Sequence, residues 1–65
     1  MNLIIDIGNS RTKLAVFEDV TLKERTICSS NEIEKKIKEI LENWSNITHS
    51  IISNTSSYPT EHLNF

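Results

Sequence analysis

The sequence predicts an α/β fold in which a three-stranded antiparallel meander is followed by a helix and then by a fourth strand parallel to the first. The first 27 residues hold three short runs typical of strands, separated by tight polar connections. Residues 31–44 carry apolar side chains at helical spacing, and another apolar run follows at residues 47–53. Because a helix separates the third strand from the fourth, that connection permits a parallel pairing with the first strand.

The first two strands are predicted to form a hairpin. Residues 2–7 are apolar on both faces, which is typical of a strand inside a sheet. Residues 12–18 form the second strand, and only residues 8–11 connect the two. Within that turn Gly8 and Asn9 tolerate a positive φ.

The third strand is predicted at residues 21–27, after a tight connection at residues 18–20. It is more polar than the first two strands because it contains Lys23, Glu24 and Arg25. Charged side chains discourage pairing with other chains, so we expect this strand at an edge of the sheet.

The clearest helix runs from residue 31 to residue 44, and its pattern indicates a scaffold element that packs against the sheet. A capping box is possible between Ser29 and Glu32 or between Asn31 and Glu34. The apolar residues that form one continuous helical face are Ile33, Ile37, Ile40, Leu41 and Trp44.

The fourth strand is predicted at residues 47–53, followed by a polar loop at residues 54–57. Residues 58–61 have the pattern of a second helix start, with Pro59 in the first turn. A single helix covers only one face of the sheet, although the first strand is apolar on both faces. We therefore expect residues 1–65 to be the truncated N-terminal part of a single larger domain.

Composition excludes several classes of function. Seven basic and nine acidic residues give a net charge of -2, which predicts no general attraction to nucleic acid or anionic membranes. The single cysteine, Cys28, excludes an internal disulfide, and His49 and His62 lack zinc-site spacing. The apolar run Leu3–Ile5 is too short for a signal peptide or a membrane span. We therefore expect a cytoplasmic protein with no nucleic-acid or membrane partner.

The segment from residue 6 to residue 13 carries the most chemistry. Glycine lets the backbone approach an anion closely, and N–H groups of tight turns form anion-binding nests. The serine hydroxyl and the two cations of this segment suit phosphate oxygens. Asp6 would repel phosphate, so its expected role is to hold Mg²⁺. The candidate cofactor-binding residues are Asp6, Ile7, Gly8, Asn9, Ser10, Arg11, Thr12 and Lys13, with Asp6 as the metal ligand.

A structural explanation of the same segment stands beside the functional one. The sequence from Asp6 to Asn9 is also a good turn, with Asp6 as the Asx-turn residue. With one glycine, the chain has neither a G-x-G-x-x-G motif nor a Walker A sequence. The residues alone therefore leave both explanations open.

Residues 3–17, LIIDIGNSRTKLAVF, resemble the first phosphate motif of the superfamily of sugar kinases, actin and heat-shock chaperones. Within it the opening most closely resembles type III pantothenate kinase, whose chains begin with a strand and then Asp-x-Gly-Asn-Thr. Asp6, Gly8 and Asn9 match this pattern, and Ser10 keeps the hydroxyl of the usual threonine. The resemblance implies the N-terminal part of a ribonuclease H-like, actin-like ATPase domain.

The same resemblance implies an ATP-dependent transfer of phosphate to pantothenate, the first step of coenzyme A synthesis. It implies ATP, Mg²⁺ and a monovalent cation (K⁺ or NH₄⁺) as cofactors, and a homodimer. The family's catalytic aspartate, pantothenate pocket and second phosphate motif lie further along its chains. No catalytic residue is therefore expected within these 65 residues, and we expect this chain alone to be inactive.

Two other functions stay open from the sequence. One is a non-catalytic nucleotide-binding regulator of the transcriptional-activator type, although the near-neutral charge argues weakly against direct DNA contact. The other is a different small-molecule kinase of the same superfamily. Asn9 counts against a sugar or acetate kinase, since those enzymes more often carry Gly-Gly-Thr or Gly-Thr at this turn.

Overall fold

The computed structural model describes residues 1–63 except for the side chain of His62, and the elements follow the predicted order. Three strands come first, an α-helix follows, and a fourth strand comes after the helix. Short 3₁₀ turns lie at Ser30–Glu32 and Thr60–His62. The main elements are β1 (Asn2–Ile7), β2 (Thr12–Glu18), β3 (Thr21–Cys28), α1 (Ile33–Asn43) and β4 (His49–Asn54).

The strands form one four-stranded sheet in the order β3-β2-β1-β4. β1 pairs antiparallel with β2, which places Ile5 opposite Leu14, and parallel with β4, which places Ile5 beside Ile52. β2 pairs antiparallel with β3. The α/β fold, the interior position of the first strand and its parallel pairing with the fourth are thus confirmed.

The core lies between α1 and one face of the sheet, which we call the helix face. Leu3, Ile5 and Ile7 alternate along β1 and are fully buried on this face, next to Leu14 and Val16 of β2. Burying each such side chain stabilises the fold by about 1.5–3 kcal/mol. The buried residues of α1 are Ile33, Ile37 and Ile40, as the helical periodicity predicts.

The opposite surface of the sheet, the open face, carries the alternate residues of each strand. Ile4 is 36% exposed there, Ile27 46% and Ile51 64%. The register places Ala15, Ile4 and Ile51 side by side across β2, β1 and β4. This exposure agrees with the expectation that a single helix covers one face only.

The two tight connections differ in their backbone conformation. Neither Gly8 nor Asn9 has a positive φ; among residues 1–63 the non-glycine residue with a positive φ is Asp19, at 54°. Asp19 lies between β2 and β3, and aspartate is one of the residues that tolerate this conformation. The left-handed residue therefore belongs to the second connection, and the first turn does not use the conformational freedom that Gly8 and Asn9 have.

A β-bulge changes which residues of β3 face the helix. Glu24 pairs with Val16, but Leu22 pairs with Phe17, so Lys23 is the extra residue of the bulge. Glu24 consequently lies on the helix face and Leu22 on the open face. The edge position predicted for β3 is confirmed.

Glu24 does not act as a solvated edge charge, as its sequence position suggested. Its carboxylate accepts a hydrogen bond from Nε1 of Trp44 at 2.6 Å and another from the hydroxyl of Thr26 at 3.2 Å. The backbone N–H of Trp44 donates separately to the carbonyl oxygen of Ile40 at 2.9 Å and closes the last turn of α1. Glu24 thus fastens the end of the helix to the edge strand.

The helix starts through a 3₁₀ turn, so α1 begins at Ile33 rather than at residue 31. The Ser29 hydroxyl donates to the carboxylate of Glu32 at 3.0 Å, but it caps no backbone N–H of the helix. The predicted contact between Ser29 and Glu32 is therefore present, while the complete capping box is not. The hydrogen bonds that the side chain and the backbone of Ser29 make to the Glu32 carboxylate lower the pKa of Glu32 below its usual range.

The last strand and the residues after it also differ in detail. β4 begins two residues later than predicted and ends at Asn54 rather than at residue 53. The second helix expected from residue 58 is instead the short 3₁₀ turn Thr60–His62, which Pro59 precedes. Within residues 1–63, none of the helices has the length and apolar character needed to cross a membrane.

Candidate phosphate-binding site

The candidate site lies where β1 and β4 end together. Because these strands are parallel, their carboxyl ends share one edge of the sheet, which is where ligands bind in open α/β sheets. On β1, Asp6 lies directly opposite Lys13 of β2 and directly beside Ser53 of β4. Ile5 and Ile7 face the helix, so Asp6 between them lies on the open face. Its cross-strand neighbours Lys13 and Ser53 lie on the open face with it.

The turn between β1 and β2 is closed by its own backbone. The N–H of Gly8 donates to the carbonyl oxygen of Arg11 at 3.0 Å. A Cβ atom on residue 8 would lie 3.0 Å from that oxygen, closer than real Cβ contacts normally come. Glycine suits this position because it leaves space for the Arg11 carbonyl oxygen and not because of its backbone conformation, since its φ is not positive.

The tip of this turn presents polar groups to solvent. Asn9, Ser10 and Arg11 are all exposed. Within residues 1–63, the backbone N–H groups of Asn9 and Ser10 donate to no protein acceptor. The turn can thus offer two N–H donors, a hydroxyl and a guanidinium to an anion.

Two of the eight predicted site residues face away from this edge. Ile7 and Thr12 are both fully buried on the helix face, so their side chains cannot reach a ligand on the open face. The carbonyl oxygen of Ile7 already accepts two hydrogen bonds from Thr55, one from its N–H at 3.0 Å and one from its hydroxyl at 3.3 Å. The Thr12 hydroxyl is buried without a partner among the described residues. The structure therefore brings together the other six, with these two beneath them.

The opposite charges of Asp6 and Lys13 are adjacent but not joined. The ion pairs within 4.0 Å among residues 1–63 are Lys23 with Glu18 and Lys36 with Glu39. Asp6 and Lys13 are exposed and belong to neither pair. The carboxylate is thus available to a cation and the ammonium group to an anion.

The donor set agrees with Mg²⁺ bound together with phosphates. Among the described residues there is no group of three or more His, Cys, Asp or Glu side chains that could enclose a metal ion. Mg²⁺ usually keeps several waters and is held by one or two carboxylates plus substrate phosphates. The single carboxylate of Asp6, beside the exposed donors of the turn, fits that arrangement.

Hydrogen bonds of Asn54 organise the polar loop after β4. Oδ1 of Asn54 accepts hydrogen bonds from the N–H of Ser56 at 2.9 Å and from its hydroxyl at 2.7 Å. Nδ2 of Asn54 donates to the carbonyl oxygen of Tyr58 at 2.9 Å. Ser53, the residue before Asn54 at the end of β4, was not among the predicted site residues. The predicted parallel pairing of the first and fourth strands was the signal that could have placed it beside Asp6.

Other functional groups of the chain lie outside this site. Burial raises the pKa of the Cys28 thiol, and the nearby carboxylate of Glu32 adds to the increase, so this cysteine is a poor nucleophile at neutral pH. A shallow cleft of about 150 Å³ lies at the opposite end of β4 and is lined by Leu3, Leu41, Ile47, Thr48, His49 and Ser50. It is smaller than the roughly 300–1,000 Å³ typical of ligand pockets.

The chain is similar to a type III pantothenate kinase from Flavobacterium johnsoniae, with 40% identity over 53 residues. The matched residues make up 82% of this chain and 22% of the relative, so the chain spans about a fifth of that relative's length. The match supports the type III pantothenate kinase family for this part of the sequence. No protein-family profile matches the chain, and no solved structure matches it.

Proposed function

We propose that this chain is the phosphate-binding portion of a type III pantothenate kinase. The intact protein would transfer the γ-phosphoryl group of ATP to pantothenate, the first step of coenzyme A synthesis. One observation carries the proposal: Asp6, Lys13 and the exposed turn at residues 9–11 meet at the carboxyl edge of β1. The 40% identity with a protein of that name supports the choice of reaction.

In this proposal the chain binds and orients the ATP phosphates. Lys13 offsets phosphate charge, while the N–H groups of Asn9 and Ser10 donate to phosphate oxygens. The Ser10 hydroxyl and the Arg11 guanidinium add further donors at the tip of the turn. Gly8 leaves room for the carbonyl oxygen of Arg11, which closes the turn that carries these donors. Positioning and charge neutralisation are the main sources of catalysis in phosphoryl transfer.

Asp6 is proposed to hold Mg²⁺ at the edge of the phosphate site. The bound ion would neutralise phosphate charge and help to orient the transferred group. Asp6 suits this role because it lies on the open face without an ion-pair partner among residues 1–63. Lys13, on the neighbouring strand, keeps phosphate oxygens within reach of the same edge.

The rest of the activity is assigned to residues outside this chain. The chain spans 22% of the length of the kinase that it matches. We place the pantothenate pocket, the catalytic base and the second phosphate contact in the remainder of the protein. The resemblance of residues 3–17 is also the support for a K⁺ or NH₄⁺ requirement and a homodimer. The 65-residue chain alone is expected to show no turnover.

The test is an assay of ATP-dependent pantothenate phosphorylation by the full-length natural protein, with Mg²⁺ and K⁺ present. We expect turnover that Asp6→Asn lowers by about 100-fold or more, because metal charge stabilisation is worth several kcal/mol. Asp19→Asn is the matched control, since Asp19 is an exposed carboxylate in the other hairpin turn and asparagine tolerates its positive φ.

Two results would contradict the proposal. Unchanged turnover in Asp6→Asn would remove Asp6 from the site. ATP binding without any phosphorylation of pantothenate would favour another acceptor substrate or a regulatory role.

A further inference from the structure

Ser53 lies beside Asp6 in the parallel pairing of β4 with β1. Adjacent strands lie about 4.8 Å apart, and residues paired in this way point to the same face of a sheet. Asp6 and Ser53 both lie on the open face and are both exposed. A carboxylate and a hydroxyl therefore stand side by side at the edge that carries the phosphate-binding turn.

The position of Ser53 is fixed by its neighbours in sequence. Both hydrogen bonds that Thr55 donates go to the carbonyl oxygen of Ile7, the residue after Asp6. Asn54 holds the following loop through Ser56 and Tyr58. The end of β4 is thus fastened to the end of β1, which holds the Ser53 backbone close to Asp6.

The hydroxyl of Ser53 takes no part in this fastening. Within residues 1–63 it makes no hydrogen bond to another protein group, whereas the side chains of Asn54, Thr55 and Ser56 all do. A serine hydroxyl can donate one hydrogen bond and accept two. Ser53 therefore offers an uncommitted acceptor and donor next to the carboxylate.

We propose that Ser53 is a positioning residue of this site, and that its hydroxyl accepts a hydrogen bond from a water of the hydrated Mg²⁺ beside Asp6. This inference rests on the proposed function. Mg²⁺ dehydrates reluctantly, so a site with one carboxylate leaves several of its waters in need of acceptors. Groups that orient metal ligands without touching the metal commonly change its affinity by roughly 10–100-fold.

The experiment measures metal binding directly. Mn²⁺ prefers the same oxygen ligands as Mg²⁺, and its free concentration can be followed by electron paramagnetic resonance. The full-length natural protein is titrated with Mn²⁺ in the presence of a non-hydrolysable ATP analogue. We expect Ser53→Ala to weaken Mn²⁺ binding by about 10-fold, at the lower end of the usual range. We expect Ser53→Thr, which keeps the hydroxyl, to bind as the natural protein does.

Ser50→Ala is the matched control. Ser50 is an exposed serine of the same strand, but it pairs with Leu3 and lies on the other face of the sheet. Equal Mn²⁺ affinity in Ser53→Ala and the natural protein would overturn the inference. An equal loss of Mn²⁺ affinity in Ser50→Ala would also overturn it. So would the same loss in Ser53→Thr as in Ser53→Ala, because the effect would then not depend on the Ser53 hydroxyl.

Asp6→Asn separates this inference from the proposed function. If Asp6→Asn loses Mn²⁺ affinity and pantothenate phosphorylation while Ser53→Ala keeps both, only the role of Ser53 is overturned. If Asp6→Asn keeps both properties, the metal site itself is wrong and the role of Ser53 is overturned with it.

Discussion

The two faces of β1 share one backbone but differ in what covers them. On the helix face Leu3, Ile5 and Ile7 are fully buried beneath α1. On the open face Ile4 is partly exposed, and Asp6 stands at the strand end beside Lys13 and Ser53. Alternate residues of β1 therefore have different roles. Those on the helix face build the core, and Asp6 on the open face belongs to the candidate site.

The open face is itself divided along the strands. At its carboxyl edge the row across β2, β1 and β4 is Lys13, Asp6 and Ser53, which is polar throughout. The next row inward is Ala15, Ile4 and Ile51, which is apolar.

The largest difference between the faces is expected in stability. Ile5→Ala removes a fully buried side chain and should lower the free energy of unfolding by about 2–5 kcal/mol. Ile4→Ala, one residue earlier on the open face, should cost about 1 kcal/mol at most, through strand propensity. Chemical denaturation of the 65-residue chain followed by circular dichroism measures both. Equal losses would contradict the distinction between the faces.

A smaller loss is expected at the edge of the helix face, where α1 is fastened to β3. Trp44→Phe keeps an aromatic, though smaller, side chain but removes the donor to Glu24, and should cost about 1–3 kcal/mol because a half-buried carboxylate loses a hydrogen bond. Glu24→Gln retains an acceptor oxygen and should cost less. If Glu24→Gln proved the more damaging variant in the same denaturation experiment, the charge of Glu24 would matter more than the hydrogen bond.

The turn at the carboxyl edge should respond to a single methyl group. Gly8→Ala places a Cβ 3.0 Å from the carbonyl oxygen of Arg11, so the turn must shift. We expect a stability loss of about 1 kcal/mol and weaker ATP binding by the full-length natural protein. Ser10→Ala, in the same turn, removes only an exposed hydroxyl and should leave stability unchanged. A Gly8→Ala protein with natural stability and ATP affinity would show that the turn has more room than the structure gives it.

The smallest expected effect is a pH dependence of stability. It arises at the start of α1, away from both faces of the sheet. Hydrogen bonds from Ser29 lower the pKa of Glu32, so their stabilisation is present above the usual glutamate pKa and is lost as pH falls through the lowered value. Ser29→Ala should return the pKa of Glu32 toward its usual range, as followed by carboxyl chemical shifts in an NMR titration. A Glu32 titration identical in both proteins would contradict the assignment to Ser29.

Sequence periodicity was sufficient for the overall fold. The alternation in β1 and the helical spacing of Ile33, Ile37 and Ile40 report burial directly, because each side of the element meets a constant environment. The helix between β3 and β4 was sufficient to predict the parallel pairing.

The errors arose where one residue changes the environment of its neighbours. The bulge at Lys23 places Leu22 and Glu24 on opposite faces, although a period of two puts them together. The inward position of Glu24 also depends on Trp44, which is 20 residues away in sequence. Such pairings depend on tertiary contacts that local patterns do not contain.

The candidate site was predictable in part for the same reason. The motif around Asp6 identified the strand end and the turn, but motif membership did not separate exposed residues from Ile7 and Thr12, which face the core. Ser53 was omitted because its proximity to Asp6 depends on strand register rather than on sequence distance.

The central claim, that the carboxyl edge of the open face binds ATP phosphates, is tested most directly by calorimetric titration of ATP into the full-length natural protein. Lys13→Gln should weaken ATP binding by about 10-fold or more, because a hydrogen bond to a charged group is worth about 1.5–3 kcal/mol. Lys38→Gln, at an exposed position on α1, should bind ATP as the natural protein does. Equal ATP affinity in the Lys13 and Lys38 variants would contradict the claim.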